Sequence, residues 1–214
     1  MIKNIFFDFD GVILESVSIK TDAFYEMYLP YGKETAEKVK AFHLANGGVS
    51  RFDKFRYFAK KFLGEKIDEA KIQMVAEQFG KLVLDKILEC PYVPGAFEFL
   101  ENHSQDYNCF VVSATPNEEV NYIVKKKRIE GYFKSIHGSP TKKTEIVAKL
   151  IDYYGMDVSE SIFIGDAEAD FNAAFENDLY FLLRKTSENA LIFKEKNIHS
   201  APDLTRLHHI LKKI

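Results

Sequence analysis

The chain of 214 residues has no tryptophan and only two cysteines, Cys90 and Cys109. Two thiols so far apart in sequence do not make the disulfide framework of a small secreted domain. Cys109 lies in the apolar run Cys109-Phe110-Val111-Val112 and reads as a small core residue. An excess of charge is also missing, because 29 Lys and Arg against 32 Asp and Glu leave a net charge of -3. That balance gives no broad basic surface for nucleic acid, yet it permits a local cationic pocket. No stretch approaches the roughly 20 apolar residues of a membrane span. The opening Met1-Ile2-Lys3-Asn4-Ile5-Phe6-Phe7 carries one Lys and a short apolar run that ends in acids, unlike a signal peptide. The six histidines show no metal-ligand spacing with one another or with cysteine. These absences predict a cytoplasmic soluble protein, a monomer or small homo-oligomer, with neither nucleic acid nor membrane as a partner.

What is present is an alternation. Ile5-Phe6-Phe7 is a continuous apolar run followed by Asp8-Phe9-Asp10-Gly11, the pattern of a strand buried on both faces and closed by a turn. Segments 109–113, 135–138, 161–164 and 180–183 have the same character, the second of them weakly. Helical patterns lie between, over 95–102, 117–127 and 144–155. In the last, Ile146, Val147, Leu150, Ile151 and Tyr154 share a face and Gly155 is a stop. Strands alternating with helices predict an α/β fold, a Rossmann-like three-layer core with a mainly parallel sheet. The interval 15–88 contains no convincing strand and several helical patterns. Phe52, Phe55, Ala59 and Phe62 form one stripe, which reads as helix packing, and 68–88 is long, charged and helical. An all-helical module is thus expected between the first strand and Pro91-Tyr92-Val93-Pro94-Gly95, with 1–14 and 89–214 forming the core. Leu204, Leu207, Leu211 and Ile214 predict a final docking helix.

In open α/β sheets ligands bind at the carboxyl ends of the strands. Three polar segments converge there: Asp8 with Asp10, Ser113-Ala114-Thr115, and Gly165-Asp166 with Asp170. Lys142 and Lys143 follow a weaker strand. Side chains two apart on a strand share a face, and adjacent ionised carboxylates repel one another, more so when buried. A divalent cation relieves that repulsion, and a donor set of carboxylates, carbonyls and water suits Mg²⁺. Ser113, the amides beside it and a lysine are what a phosphate group needs.

These segments resemble four motifs of the haloacid dehalogenase superfamily, in its phosphoglycolate phosphatase and beta-phosphoglucomutase-like branch. Asp8-Phe9-Asp10-Gly11-Val12 is similar to the opening motif, Val111-Val112-Ser113-Ala114-Thr115 to the second, Gly138-Ser139-Pro140-Thr141-Lys142-Lys143 to the lysine motif, and Gly165-Asp166-Ala167-Glu168-Ala169-Asp170 to the acidic motif. The helical insert is similar to a C1 cap. Glu15-Ser16 departs mildly from the Asp-Ser usual in close relatives. The resemblance implies a phosphomonoester hydrolase for a small phosphorylated metabolite, with Asp8 as nucleophile and Asp10 as general acid and base. It implies Mg²⁺ held by Asp8, the Asp10 carbonyl and Asp166, with Asp170 a ligand or an orienting group. Ser113 and the Ala114 amide would bind phosphate oxygens. Lys143 fits the lysine spacing better than Lys142. A phosphomutase on the same core is the alternative, and a non-catalytic binding protein a more distant one.

The loop Asn46-Gly47-Gly48-Val49-Ser50-Arg51 stands before a helix of the insert. In relatives with such a cap, a loop there reads the substrate, so Arg51 is a candidate for binding an anionic group or sugar hydroxyls. The competing reading is an ordinary helix start with Ser50 as N-cap.

Overall fold

A computed structural model describes all residues, 1–214. Six strands form one parallel sheet: β1 (Asn4–Phe7), β2 (Asn108–Pro116), β3 (Ser135–Ser139), β4 (Ser161–Gly165), β5 (Tyr180–Arg184) and β6 (His199–Ala201). Their spatial order is β3-β2-β1-β4-β5-β6. From β1 the chain winds outward through β2 to β3, then returns to lay β4 on the other side of β1. The reversal creates a crevice at the carboxyl end of β1, where ligands bind in folds of this kind. The strand expectations hold in position, and β2 runs three residues past Ser113. Strand β6 is an addition that the sequence pattern did not suggest.

The central strand is apolar throughout because helices cover both faces. Phe6 stacks on Phe110 at 5.2 Å on one side, while Ile5 and Phe7 enter the larger cluster on the other. Of the five α-helices between β1 and β2, the first four form one group: α1 (Val17–Tyr28), α2 (Lys33–Ala45), α3 (Arg51–Phe58) and α4 (Glu69–Glu89). They make up the all-helical cap. Helix α3 runs on into a π-helical turn, Ala59–Leu63, that ends at left-handed Gly64. Beyond the expected stripe, Phe58 is fully buried and meets Phe24, Tyr28 and Phe42 edge-on. Five more helices flank the sheet: α5 (Ala96–His103), α6 (Asn117–Lys126), α7 (Lys143–Tyr154), α8 (Glu168–Phe175) and the short α9 (Leu207–Leu211). The tail docks through Leu204, Leu207 and Leu211, all buried.

Cap and core are joined by a buried ion pair. Ser50 caps α3 by accepting the Asp53 amide, which places Arg51 at the first helical position. From there its guanidinium donates twice to Glu119 of α6, at 2.6 and 2.8 Å, and lies 4.8 Å from the Phe79 ring centre. The Arg51 side chain is only 5% exposed. Removing one partner of such a pair leaves a buried charge uncompensated. Glu119→Ala should therefore lower stability by about 3 kcal/mol and increase protease cleavage within 15–88, as urea denaturation and limited proteolysis would read.

Candidate functional site

The ends of β1, β2 and β4 bring most of the anticipated residues together. Asp8 leaves the end of β1 with its amide donating to the Ile164 carbonyl at 2.9 Å. Its carboxylate accepts the Phe9 amide at 2.7 Å. Lys143, at the first position of α7, reaches Asp8 Oδ1 at 2.7 Å and Asp170 Oδ1 at 2.6 Å. Lys142 is exposed and Lys143 buried, so the chain directs the second of the two adjacent lysines inward. Asp170 is fully buried. Its other oxygen accepts the amides of Asp166 at 3.2 Å and Ala167 at 3.0 Å, at the start of α8. Asp170 thus orients Lys143 and the turn that carries Asp166.

Asp8, Asp166 and Asp170 each offer a carboxylate oxygen, all within 4.8 Å of one another. Burial pushes the Asp8 carboxyl up to about 7, with Asp170 and Asp10 adding to the shift and Lys143 opposing it. Burial, Asp8 and Asp170 raise Asp166 well above the usual carboxylate range. The cluster holds more negative charge than its one lysine offsets, and its donors are hard oxygens. That composition fits a divalent cation of the Mg²⁺ type. Space for Asp166 is kept by Gly11, at φ +76°, since a Cβ there would come within 2.3 Å of Asp166 Oδ2.

Asp10 faces a different set of partners. Burial raises its pKa, but the Lys20 ion pair and hydrogen bonds from Lys20, Ser16 and Thr115 win, bringing it down to about 2. Lys20 Nζ lies 2.5 Å, Ser16 Oγ 2.6 Å and Thr115 Oγ1 2.8 Å from the carboxylate. Lys20 also donates to Thr115 Oγ1 at 2.7 Å, so a cap helix and β2 hold Asp10 jointly. The sequence reading missed Lys20: on α1 it looks like one more lysine of a solvated face. Thr115 stood inside the quoted second motif without a role. Ser113 is fully buried, and its Oγ accepts the Thr115 amide at 3.1 Å. Ala114 and Thr115, rather than Ser113, line the cleft. Glu15, the departure noted above, pairs with Arg184 at the end of β5. Asn189, also unanticipated, donates to the Asp166 carbonyl at 2.8 Å and the Arg184 carbonyl at 2.9 Å.

Above these residues lies a cleft of about 410 Å³, bounded by Asp8, Asp10 and Asp166 below and by Lys20, Phe24, His43, Arg51, Lys54 and Phe79 of the cap. That volume suits a small metabolite. The loop 46–50 lies on the rim, where a Cβ on Gly48 would stand 2.8 Å from the Ala169 Cβ. Arg51 lines the cleft, but both arms of its guanidinium are engaged by Glu119. Among the histidines, the fold stacks His103 on His208 at 3.7 Å beside Asp106, remote from the cleft. No helix is long and apolar enough to cross a membrane.

A parallel sheet ending in buried acids, under an inserted helical cap, defines a hydrolase of the haloacid dehalogenase-like class. The chain belongs to the haloacid dehalogenase-like hydrolase family, whose model matches residues 5–183. It is 25% identical over 176 residues to a phosphoglycolate phosphatase of Pseudomonas fluorescens, covering 79% of this chain and 64% of that protein. The chain therefore spans just under two thirds of that curated relative. Among solved structures, the fold is similar to a beta-phosphoglucomutase of Clostridium difficile, with 21% identity, a TM-score of 0.76 and coverage of 100% and 97%. It is also similar to CbbY of Rhodobacter sphaeroides in complex with phosphate, with 16% identity, a TM-score of 0.74 and coverage of 97% and 96%.

Replacing Lys20 by Met removes the cation that holds Asp10 ionised. The Asp10 carboxyl should then titrate well above its value of about 2, and above the ordinary Asp value of about 3.9 because burial persists. Carbon NMR of labelled aspartates would read the shift. The sign for folding follows: in the wild type this group contributes stability that is full above the unfolded Asp value and lost as pH falls toward the folded one.

Proposed function

We propose that the chain is a Mg²⁺-dependent phosphatase of small phosphate esters that works through an aspartyl-phosphate on Asp8. The observation that carries this reading is the position of Asp8. It stands at the crevice end of the central strand, facing the cleft and bound 2.7 Å from Lys143. The family membership and the phosphoglycolate phosphatase relative support the same chemistry. We take 1–14 and 89–214 as the catalytic core and 15–88 as a C1-type cap.

In this reading Asp8 Oδ2 attacks phosphorus in line while Lys143 holds Oδ1 and neutralises charge on the transferring group. The bond from phosphorus to the ester oxygen breaks, and Asp10, having taken up a proton from water or from the monoanionic ester as the ester binds beside it, delivers that proton to the oxygen. Ionised again, Asp10 takes a proton from the water that hydrolyses the aspartyl-phosphate, which returns Asp8 and releases phosphate. The contacts from Lys20, Ser16 and Thr115 aim the Asp10 carboxyl and favour its ionised form, the form needed for the second step. The Ser113 hydroxyl, whose oxygen accepts the Thr115 amide while its proton is left to donate, and the Ala114 amide would bind phosphate oxygens. Asp8, Asp166 and the Asp10 carbonyl would hold Mg²⁺, with Asp170 orienting the site, and the bound ion would supply charge neutralisation for the phosphoryl group and the carboxylates.

The test is acid-quench labelling with a ³²P-phosphate ester in Mg²⁺. Wild-type protein should retain label that hydroxylamine releases, as an acyl phosphate does. Asp8→Asn should carry none and lose at least roughly a thousandfold in kcat, since the covalent route is gone. Chelation by EDTA should abolish turnover, with Mg²⁺ restoring it. Full activity in Asp8→Asn would refute the assignment.

A further inference from the structure

Four lysine or arginine residues of the cleft region are nearly inaccessible: Lys20, Arg51, Lys54 and Lys143, each no more than 9% exposed. Three of them have carboxylates within ion-pair distance. Lys20 has Asp10, Arg51 has Glu119, and Lys143 has Asp8 and Asp170. Lys54 is the exception. It is 3% exposed, no carboxylate lies within 4.0 Å of its Nζ, and its one hydrogen-bond partner is His43 Nδ1 at 2.9 Å. A buried charge is ordinarily paired, because leaving water without a counter-ion costs several kcal/mol. Here no carboxylate touches the amine, and Asp10 and Asp166 act on it only from beyond ion-pair distance.

The surroundings say where a contacting counter-charge would come from. Lys54 and His43 both line the cleft opposite Asp8, against the rings of Phe24 and Phe79. Phe24 packs 4.7 Å from the His43 ring and 4.2 Å from Phe79. The Phe24 ring packs against both polar groups, with Lys54 Nζ 5.8 Å from its centre. Protonated Lys54 donates to Nδ1, and neutral His43 then carries its proton on Nε2. Burial and the Lys54 charge hold the imidazole well below its ordinary value, which keeps it neutral. Burial, followed by the Lys20 charge, also pushes the Lys54 amine down to about 7. An anion seated beside it would restore its proton.

We infer that Lys54 and His43 form a subsite for a second anionic group on the substrate, a carboxylate or a second phosphate, at the cap end of the cleft. The inference rests on the phosphatase reading only for the identity of the other end of the molecule, the phosphate ester above Asp8. It narrows the substrate class from phosphate esters in general to esters whose leaving group is itself an acid. Arg51, already paired with Glu119, does not supply this charge. Lys54 takes the role that the sequence had suggested for its neighbour three residues earlier.

Binding tests it without relying on turnover. Isothermal titration calorimetry of the full chain with Mg²⁺ would compare 3-phosphonopropionate, propane-1,3-bisphosphonate and propylphosphonate, which share a phosphonate and a three-carbon body. Wild type should hold one or both of the doubly anionic ligands roughly 10- to 100-fold more tightly than propylphosphonate, the range for hydrogen bonds to a buried charge. Whichever of the two gains identifies the group as carboxylate or phosphate. In Lys54→Met that advantage should collapse to near unity, and Lys54→Arg should retain part of it. A wild type that holds neither acid more tightly than propylphosphonate overturns the inference whether or not the variants fold. So does an advantage undiminished in a folded Lys54→Met. Hydrolysis of p-nitrophenyl phosphate by the wild type, measured separately, tells failure of this subsite from failure of the phosphatase reading.

Discussion

Lys143 is the point on which the site is built, one buried ammonium held between Asp8 at 2.7 Å and Asp170 at 2.6 Å. The lysine comes from the start of α7, Asp8 from the end of β1 and Asp170 from the first turn of α8. Their meeting requires β4 to return to the side of β1 that β2 leaves free. The sheet order thus exists in a chemically checkable form, as a triad of charges drawn from three elements. Without the lysine, three carboxylates would share one dry pocket, and at least one would have to stay protonated. With it, Asp170 is satisfied by Lys143 and two backbone amides, while Asp8 and Asp166 remain short of positive charge. That residual imbalance suits the core to a cation and a phosphate group together.

The same division by charge separates the two aspartates of the opening motif. Asp8 and Asp10 are two residues apart, yet burial raises the first to about 7 and the second falls to about 2. Asp8 shares a lysine with another carboxylate. Asp10 has Lys20 to itself, with two hydroxyls besides. A pair of carboxylates whose surroundings push them apart is the usual sign of two different chemical roles. Here the separation depends on the cap, because Lys20 and Ser16 belong to the segment after β1 while Thr115 belongs to β2. Movement of α1 away from the core would release Asp10 from its lysine, so in the proposed mechanism the cap would influence proton transfer as well as access.

Much of the fold was legible because burial leaves a plain mark on sequence. Strands covered on both faces read as unbroken apolar runs, as Ile5-Phe6-Phe7 and Ile162-Phe163-Ile164 do, and the helices between them keep a stripe of period 3.6. Strand β6, His199-Ser200-Ala201, carried no such mark, since an edge strand of three residues buries only Ala201. The core part of the site was legible for a related reason: acids placed directly after apolar runs must surface at one end of the sheet. Lys20, Lys54 and Glu119 were not legible. Each lies on a helix where a charged residue ordinarily faces water, and only the approach of cap to core shows that these three turn inward. Arg51 was singled out from its loop, but a sequence does not reveal that a glutamate 68 positions later would occupy it.

This contrast bears on how such a protein changes its substrate. The core acids are fixed by mutual need, because each change of charge there would strand a buried partner. The cap's cations answer to different constraints. Arg51 is tied to Glu119 and serves the joint between the two parts, whereas Lys54 is tied only to a neutral imidazole. Replacing Lys54 by an apolar residue of similar size would leave no carboxylate unpaired; it would remove a desolvation cost and give up one hydrogen bond to His43. Stability alone therefore gives only a weak reason to keep a lysine there. A residue that folding has only weak reason to keep, yet which faces the cleft from a wall of packed aromatic rings, is more readily explained by what enters the cleft than by the fold that surrounds it.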